Sequence, residues 1–148
     1  LDSDDLWFPH KLLTQIEFIH HTPKCDLVHS DAIAFRRKKK IFEAERLSSI
    51  RCPVQGRLSE EKIHLSGYFL VTSSLMMRKR VLEETGYFDE SLWAYEDDEF
   101  LVRASHRAPY VGYVPEPLVL FRIKREGAKM RFLRRKARNS LTRRFGYG

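Results

Sequence analysis

The hydrophobic and polar positions change period several times along the chain, and each change predicts an element. After LDSDDLW, Pro9 fits the first turn of a helix, and Leu12, Ile16 and Ile19 follow at spacings of four and three. Residues 9 to 21 therefore read as an amphipathic helix, stopped by Thr22-Pro23. CDLVHSDAIAF reads as a short buried strand followed by a polar turn, and the charged stretch RRKKKIFEAERLSSIRCPVQGRL as a variable loop. A second helix is predicted from Leu58 to Leu65, with Ser59 as its N-cap and Lys62 and His64 on its polar side. YFLVTSSLMM, bounded by Gly67, predicts a buried strand, and RKRVLEETG a short helix closed by Gly86. A loop then leads to a helix whose first turn is Glu96-Asp97-Asp98-Glu99, where acids complement the dipole. YVGYVPEPLVLFRI predicts a pair of strands, or one strand with a Pro-Gly bend. The alternation predicts an α/β domain with a largely parallel sheet.

Length and charge refine this picture. The 148 residues suit one domain with a real core, and no apolar run reaches the length of a spanning helix, about 18 residues. No secretory leader pattern stands at residue 1. Cys25 and Cys52 lie far apart without CxxC spacing, which argues against a zinc site or a disulfide framework and for a reducing compartment. The net charge of +7 divides unevenly: from Lys124 onward ten Lys/Arg face Glu126 alone, a net +9, which leaves the first 123 residues at −2. Within that basic tail Met130, Leu133, Ala137 and Leu141 keep helical spacing, so residues 124 to 148 read as a basic amphipathic helix. Such a helix suits an anionic membrane face or docks on its own domain; nucleic acid is a weaker match, since no aromatic-basic interleaving accompanies the charge. His20, His21, His29, His64 and His106 are dispersed, without metal-ligand spacing.

Two acidic clusters carry the candidate chemistry. Asp2 and Asp4 are spaced so that an extended backbone places both carboxylates on one side, a pair suited to Mg²⁺ or Mn²⁺ with open positions for phosphate oxygens. Solvated helix caps have the same composition. In the second cluster a carboxylate can serve as general base toward a hydroxyl nucleophile, with Trp93 offering a flat apolar face to a ring substrate.

The order LDSDDLWFPHKL, LVHSD, VTSSLMMRKRVLEETGYFDESL, AYEDDEFLVRAS, YVPEPLVLFRI resembles the family 2 glycosyltransferases of GT-A fold over residues 1 to about 123. The resemblance implies an inverting transfer of a sugar from a nucleotide-sugar donor to an acceptor hydroxyl, in cell-surface polysaccharide or glycan synthesis. Its DxD motif looks like Asp2-Ser3-Asp4, which would hold a divalent metal (Mn²⁺ or Mg²⁺), with Asp4 the more direct ligand. Asp97 of the ED pair would be the catalytic base. The loop from Gly86 to Leu92, with Asp89, is similar to the family's acceptor-side loop, and Trp93 and Glu96 fall beside it. Ser73 and Ser74 match positions near the donor sugar, and Arg122 would meet the donor phosphates. Many relatives carry a histidine two residues after that arginine, where this chain has Lys124, suited to phosphate but not to metal.

In the family the nucleotide base and ribose are bound by strands ahead of the DxD motif. The resemblance therefore implies a truncated GT-A domain over 1–123, lacking the N-terminal nucleotide-binding strands and inactive alone, followed by the tail. The implied acceptor is a glycan or lipid-linked molecule, and the implied location the cytoplasm, peripheral on the inner membrane face. A non-catalytic membrane- or polyanion-binding module acting through the tail is the alternative.

Overall fold

The computed structural model describes residues 3–36, 45–51, 53, 55–57, 70–93, 95–107 and 110–123. The helix expected at 58–65 and the basic tail lie outside them.

Two long strands form the centre. β2 (Leu27–Arg36) and β6 (Tyr110–Arg122) run parallel along most of their length. Short strands line both outer edges. β3 (Glu45–Ile50) and β5 (Met76–Met77) pair with β2, while β1 (Leu6–Trp7) and β4 (Gly56–Arg57) pair with β6, all antiparallel. The largely parallel sheet expected from the sequence is thus corrected: among the described residues one pairing is parallel. Among the described residues three helices complete the architecture, α1 (Lys11–His21), α2 (Lys79–Thr85) and α3 (Glu96–Arg107).

The helices cover opposite faces of the central pair. On one side Ile19 of α1 packs with Cys25, Val28, Val114 and Leu118. On the other, Leu101 of α3 meets Leu27 and Val111, and Val81 of α2 joins Phe100 and Ala104. Gly112 allows the close approach of α1: a Cβ there would lie 2.3 Å from the Phe18 ring and 2.7 Å from Cys25 Sγ. Cys25 is a buried free thiol, and burial pushes its pKa up.

Several expectations changed where polar groups overrode hydrophobic period. CDLVHSDAIAF is not a short strand and a turn; Ser30 and Asp31 stay inside β2, at a register irregularity opposite the Pro115–Pro117 bulge of β6. That bulge accommodates two prolines that a regular central strand would reject. Residues 45–50, assigned to a loop, pair with β2. YFLVTSSLMM yields the two-residue strand β5, preceded by a 3₁₀ turn at Thr72–Ser74.

Helix α1 falls where the pattern put it but turns a different face inward. Lys11, Gln15 and Ile19 are buried, whereas Leu12 is 46%, Leu13 61% and Ile16 56% exposed. The cause is hydrogen bonding to the 3₁₀ turn: Gln15 Nε2 donates to the Ser74 carbonyl at 2.8 Å, and Lys11 Nζ donates to Gln15 Oε1 at 2.5 Å while lying 4.3 Å from the Trp7 ring centroid.

Candidate active site

The chain enters the site from β1. Asp5, at its start, is buried, and both its carboxylate oxygens are engaged: Oδ1 accepts the Arg122 backbone N–H at 2.8 Å and Oδ2 the Ser73 hydroxyl at 2.7 Å. These bonds fasten the end of β6 and the 3₁₀ turn to the acidic corner. Asp4 is less buried, and its Oδ2 lies 3.8 Å from Arg122 Nη1. Asp4 and Arg122, assigned separately from the sequence, therefore meet. Asp2 and Lys124 lie outside the described residues.

The 3₁₀ turn is held from several directions. Trp7 Nε1 donates to the Ser73 carbonyl at 2.8 Å, Gln15 to the Ser74 carbonyl, and the Ser74 N–H to the Val71 carbonyl at 2.7 Å. Ser73 and Ser74 are buried, and the Ser73 hydroxyl is spent on Asp5. The described bonds of Ser73 and Ser74 hold the corner together.

The next residue back carries the turn to the second acidic cluster. Thr72 Oγ1 donates to Asp97 Oδ2 at 2.6 Å, and Asp97 Oδ1 accepts the Asp98 N–H at 3.0 Å. Asp97 and Thr72 line a cleft of about 160 Å³ with Leu75, Met77, Phe88 and Phe100. Consecutive residues thus bind the two corners, Ser73 to Asp5 and Thr72 to Asp97.

Local backbone fixes the start of α3. Tyr95 sits at φ 63°, in the left-handed region that a bulky residue adopts at a cost of about 1–3 kcal/mol, and its carbonyl accepts the Glu99 N–H at 3.0 Å. The four first-turn acids then diverge. Glu96 is exposed, Asp97 turns to Thr72, and Glu99 is buried against Arg103, whose Nε and Nη2 reach its two oxygens at 2.7 and 2.8 Å.

Arg103 also donates to the carbonyls of Thr85, at 2.6 Å, and Tyr87, at 2.8 Å, so the loop after α2 is riveted to α3. Gly86, at φ 83°, makes that departure from α2 possible. Farther along the loop Asp89 Oδ1 accepts the Ser91 N–H at 3.0 Å and its hydroxyl at 2.6 Å, a role in shaping the turn. Trp93 is 55% exposed beyond it, and Phe88 stacks on Phe100 at 4.9 Å between centroids.

Among the described residues no three His, Cys, Asp or Glu side chains gather as a metal site. Asp4 remains a hard oxygen donor at the corner, whereas Asp5 is committed to the protein on both oxygens. A magnesium or manganese ion is commonly held by one or two carboxylates with substrate phosphates completing its shell, a requirement that Asp4 fits. Sequence reasoning missed Thr72 and the anchoring roles of Asp5 and Arg103. The run of three hydroxyl residues, TSS, was the available signal, since such residues bond locally in turns more readily than they fill a buried strand.

The architecture is that of a glycosyltransferase-type mixed α/β fold. Solved structures with a similar fold include those of S. aureus TarS, a glycosyltransferase. TarS matches with a TM-score of 0.60 and 17% identity, over 83% of this chain and 21% of that one. TarS 1-349 in complex with UDP-GlcNAc matches with a TM-score of 0.61 and 18% identity, over 88% of this chain and 35% of that one. The chain thus spans between a fifth and about a third of the TarS chains it matches. No family model and no curated protein matches the sequence.

Proposed function

We propose that this chain is the leaving-group and base side of a family 2-type, inverting glycosyltransferase that moves a sugar from a nucleotide-sugar donor to an acceptor hydroxyl. The observation that supports it most is the linkage of the two acidic corners through Ser73 and Thr72, which sets Asp97 in the wall of a cleft beside residues anchored to the Asp4-Arg122 corner.

The chemistry follows from what each side chain can do. Both oxygens of Asp97 accept one hydrogen bond from the protein, and a carboxylate oxygen has a second lone pair. The acceptor O–H gives its proton to that lone pair as its oxygen attacks the anomeric carbon. The bond from that carbon to the diphosphate breaks on the opposite face, so the configuration inverts. The Arg122 guanidinium meets phosphate oxygens with paired donors, which matters most as the leaving group gathers charge. A divalent cation held by Asp4, with Asp2, would neutralise further charge on the leaving diphosphate. Tyr87, Phe88 and Trp93, all exposed, offer apolar faces on which an acceptor sugar ring can rest.

TarS 1-349 was solved with UDP-GlcNAc, which makes that molecule the first donor to try. In the whole protein, titration with UDP-GlcNAc should show binding that strengthens with Mn²⁺, and Asp4→Ala should remove most of the metal dependence. Binding equal with and without Mn²⁺, and unchanged in Asp4→Ala, would defeat the metal-corner assignment.

A further inference from the structure

We propose that Thr72 is a positioning residue for Asp97: its hydroxyl selects the rotation of the carboxylate that leaves one lone pair facing the cleft. This rests on the reading of Asp97 as base and names what keeps that base aimed.

A carboxylate on the first turn of a helix has local alternatives. Its terminal torsion is soft and roughly two-fold, and free backbone N–H groups of the same turn compete for its oxygens. In α3 one such donor, the Asp98 N–H, already holds Oδ1 at 3.0 Å. Without a second constraint the group can pivot about that bond. Thr72 supplies the constraint at 2.6 Å on Oδ2, from outside the helix.

The hydroxyl can do this because its own backbone has little freedom. The Thr72 carbonyl accepts the Leu75 N–H at 3.1 Å, and Ser73 is fixed by Trp7 at its carbonyl and by Asp5 at its hydroxyl. The Ser74 carbonyl is held by Gln15. The turn is therefore a strut between β1, α1 and α3, and Thr72 is its contact with the base. Its side chain also lines the same cleft as Asp97, so the bond lies at the wall where the acceptor hydroxyl arrives.

Positioning differs from mere support in how the kinetic loss divides. Loss of aim should lower kcat far more than it raises the donor KM, because the donor's binding groups lie elsewhere. A misaimed base costs on the order of 100-fold in rate.

The test compares the whole protein with its Thr72→Val, Thr72→Ala and Thr72→Ser variants, each first checked for native thermal unfolding. Two readouts are used: UDP release from UDP-GlcNAc with Mn²⁺, and the ¹³C chemical shift of the Asp97 carboxyl at neutral pH, which reports its hydrogen bonding and needs no donor. Thr72→Val and Thr72→Ala should lower kcat by about 10- to 100-fold with KM within about twofold, and displace the Asp97 carboxyl resonance. Thr72→Ser should recover most of both. An Asp97 carboxyl resonance unmoved in Thr72→Val and Thr72→Ala, or a kcat equal to wild type, overturns the positioning role. A displaced resonance in a protein that releases no UDP keeps the Thr72–Asp97 coupling and instead sinks the glycosyltransferase reading.

Discussion

Lys11 is 1% exposed, and its ammonium meets only a neutral amide oxygen and an aromatic face among the contacts described. Burial lowers its pKa to about 8. The sign of the consequence follows from which state holds the proton. Between pH 8 and the ordinary lysine value, about 10.4, the unfolded chain keeps the proton and the folded chain releases it, so stability rises with pH across that window. Below pH 8 both states are charged and the full burial cost applies. Lys11→Met should therefore be neutral or stabilising at pH 7, by up to about 3 kcal/mol, and should erase that rise. Thermal unfolding of the two proteins at pH 7 and pH 10 checks it; a variant that keeps the wild-type slope contradicts it. Asp4 and Asp5 show the same dependence on surroundings. They are neighbours of one chemical type, yet Asp5 is spent on Ser73 and Arg122 while Asp4 remains at the corner. Their spacing in the sequence distinguishes neither role.

Elements whose signals are local were legible in the sequence. Gly86 ends α2 because only an unhindered backbone turns at φ 83°, and the acids of the ED run mark the first turn of α3. Elements decided by long-range hydrogen bonds were not. The inward face of α1 is set by the carbonyl of Ser74, 59 residues away, and the TSS turn by partners on β1 and α1. Period alone placed Leu12, Ile16 and Ile19 on one apolar stripe and a strand at the turn; Ile19 is buried, while Leu12 and Ile16 are exposed and the strand gives way to the turn for that reason. The α2–α3 junction carries its own expectation. Arg103 holds the buried Glu99 and two loop carbonyls, so Arg103→Ala leaves a carboxylate without its cation and frees the loop. The expected loss is about 3–5 kcal/mol, together with faster amide exchange at residues 86–92 than in α1. Uniform exchange through that loop and α1 would place the role of Arg103 elsewhere.

At the scale of the molecule, the described residues build a parallel β2–β6 core with short antiparallel strands at its edges and helices on both faces. The order of short motifs made the fold class readable, since it reports topology rather than any single contact. The sheet pattern was less readable, because two-residue strands leave no period to detect. No helix among the described residues is long and apolar enough to cross a membrane. The acidic body and basic tail remain opposed in charge, and the TarS chains extend well beyond the portion matched here. The proposed reaction turns on Asp97 taking the acceptor proton. The most direct measurement is single-turnover sugar transfer by the whole protein, wild type against Asp97→Asn, with donor affinity measured alongside. Transfer lower by roughly 10²- to 10⁴-fold with nearly unchanged donor binding is the expected result. Transfer at the wild-type rate in Asp97→Asn would contradict the claim.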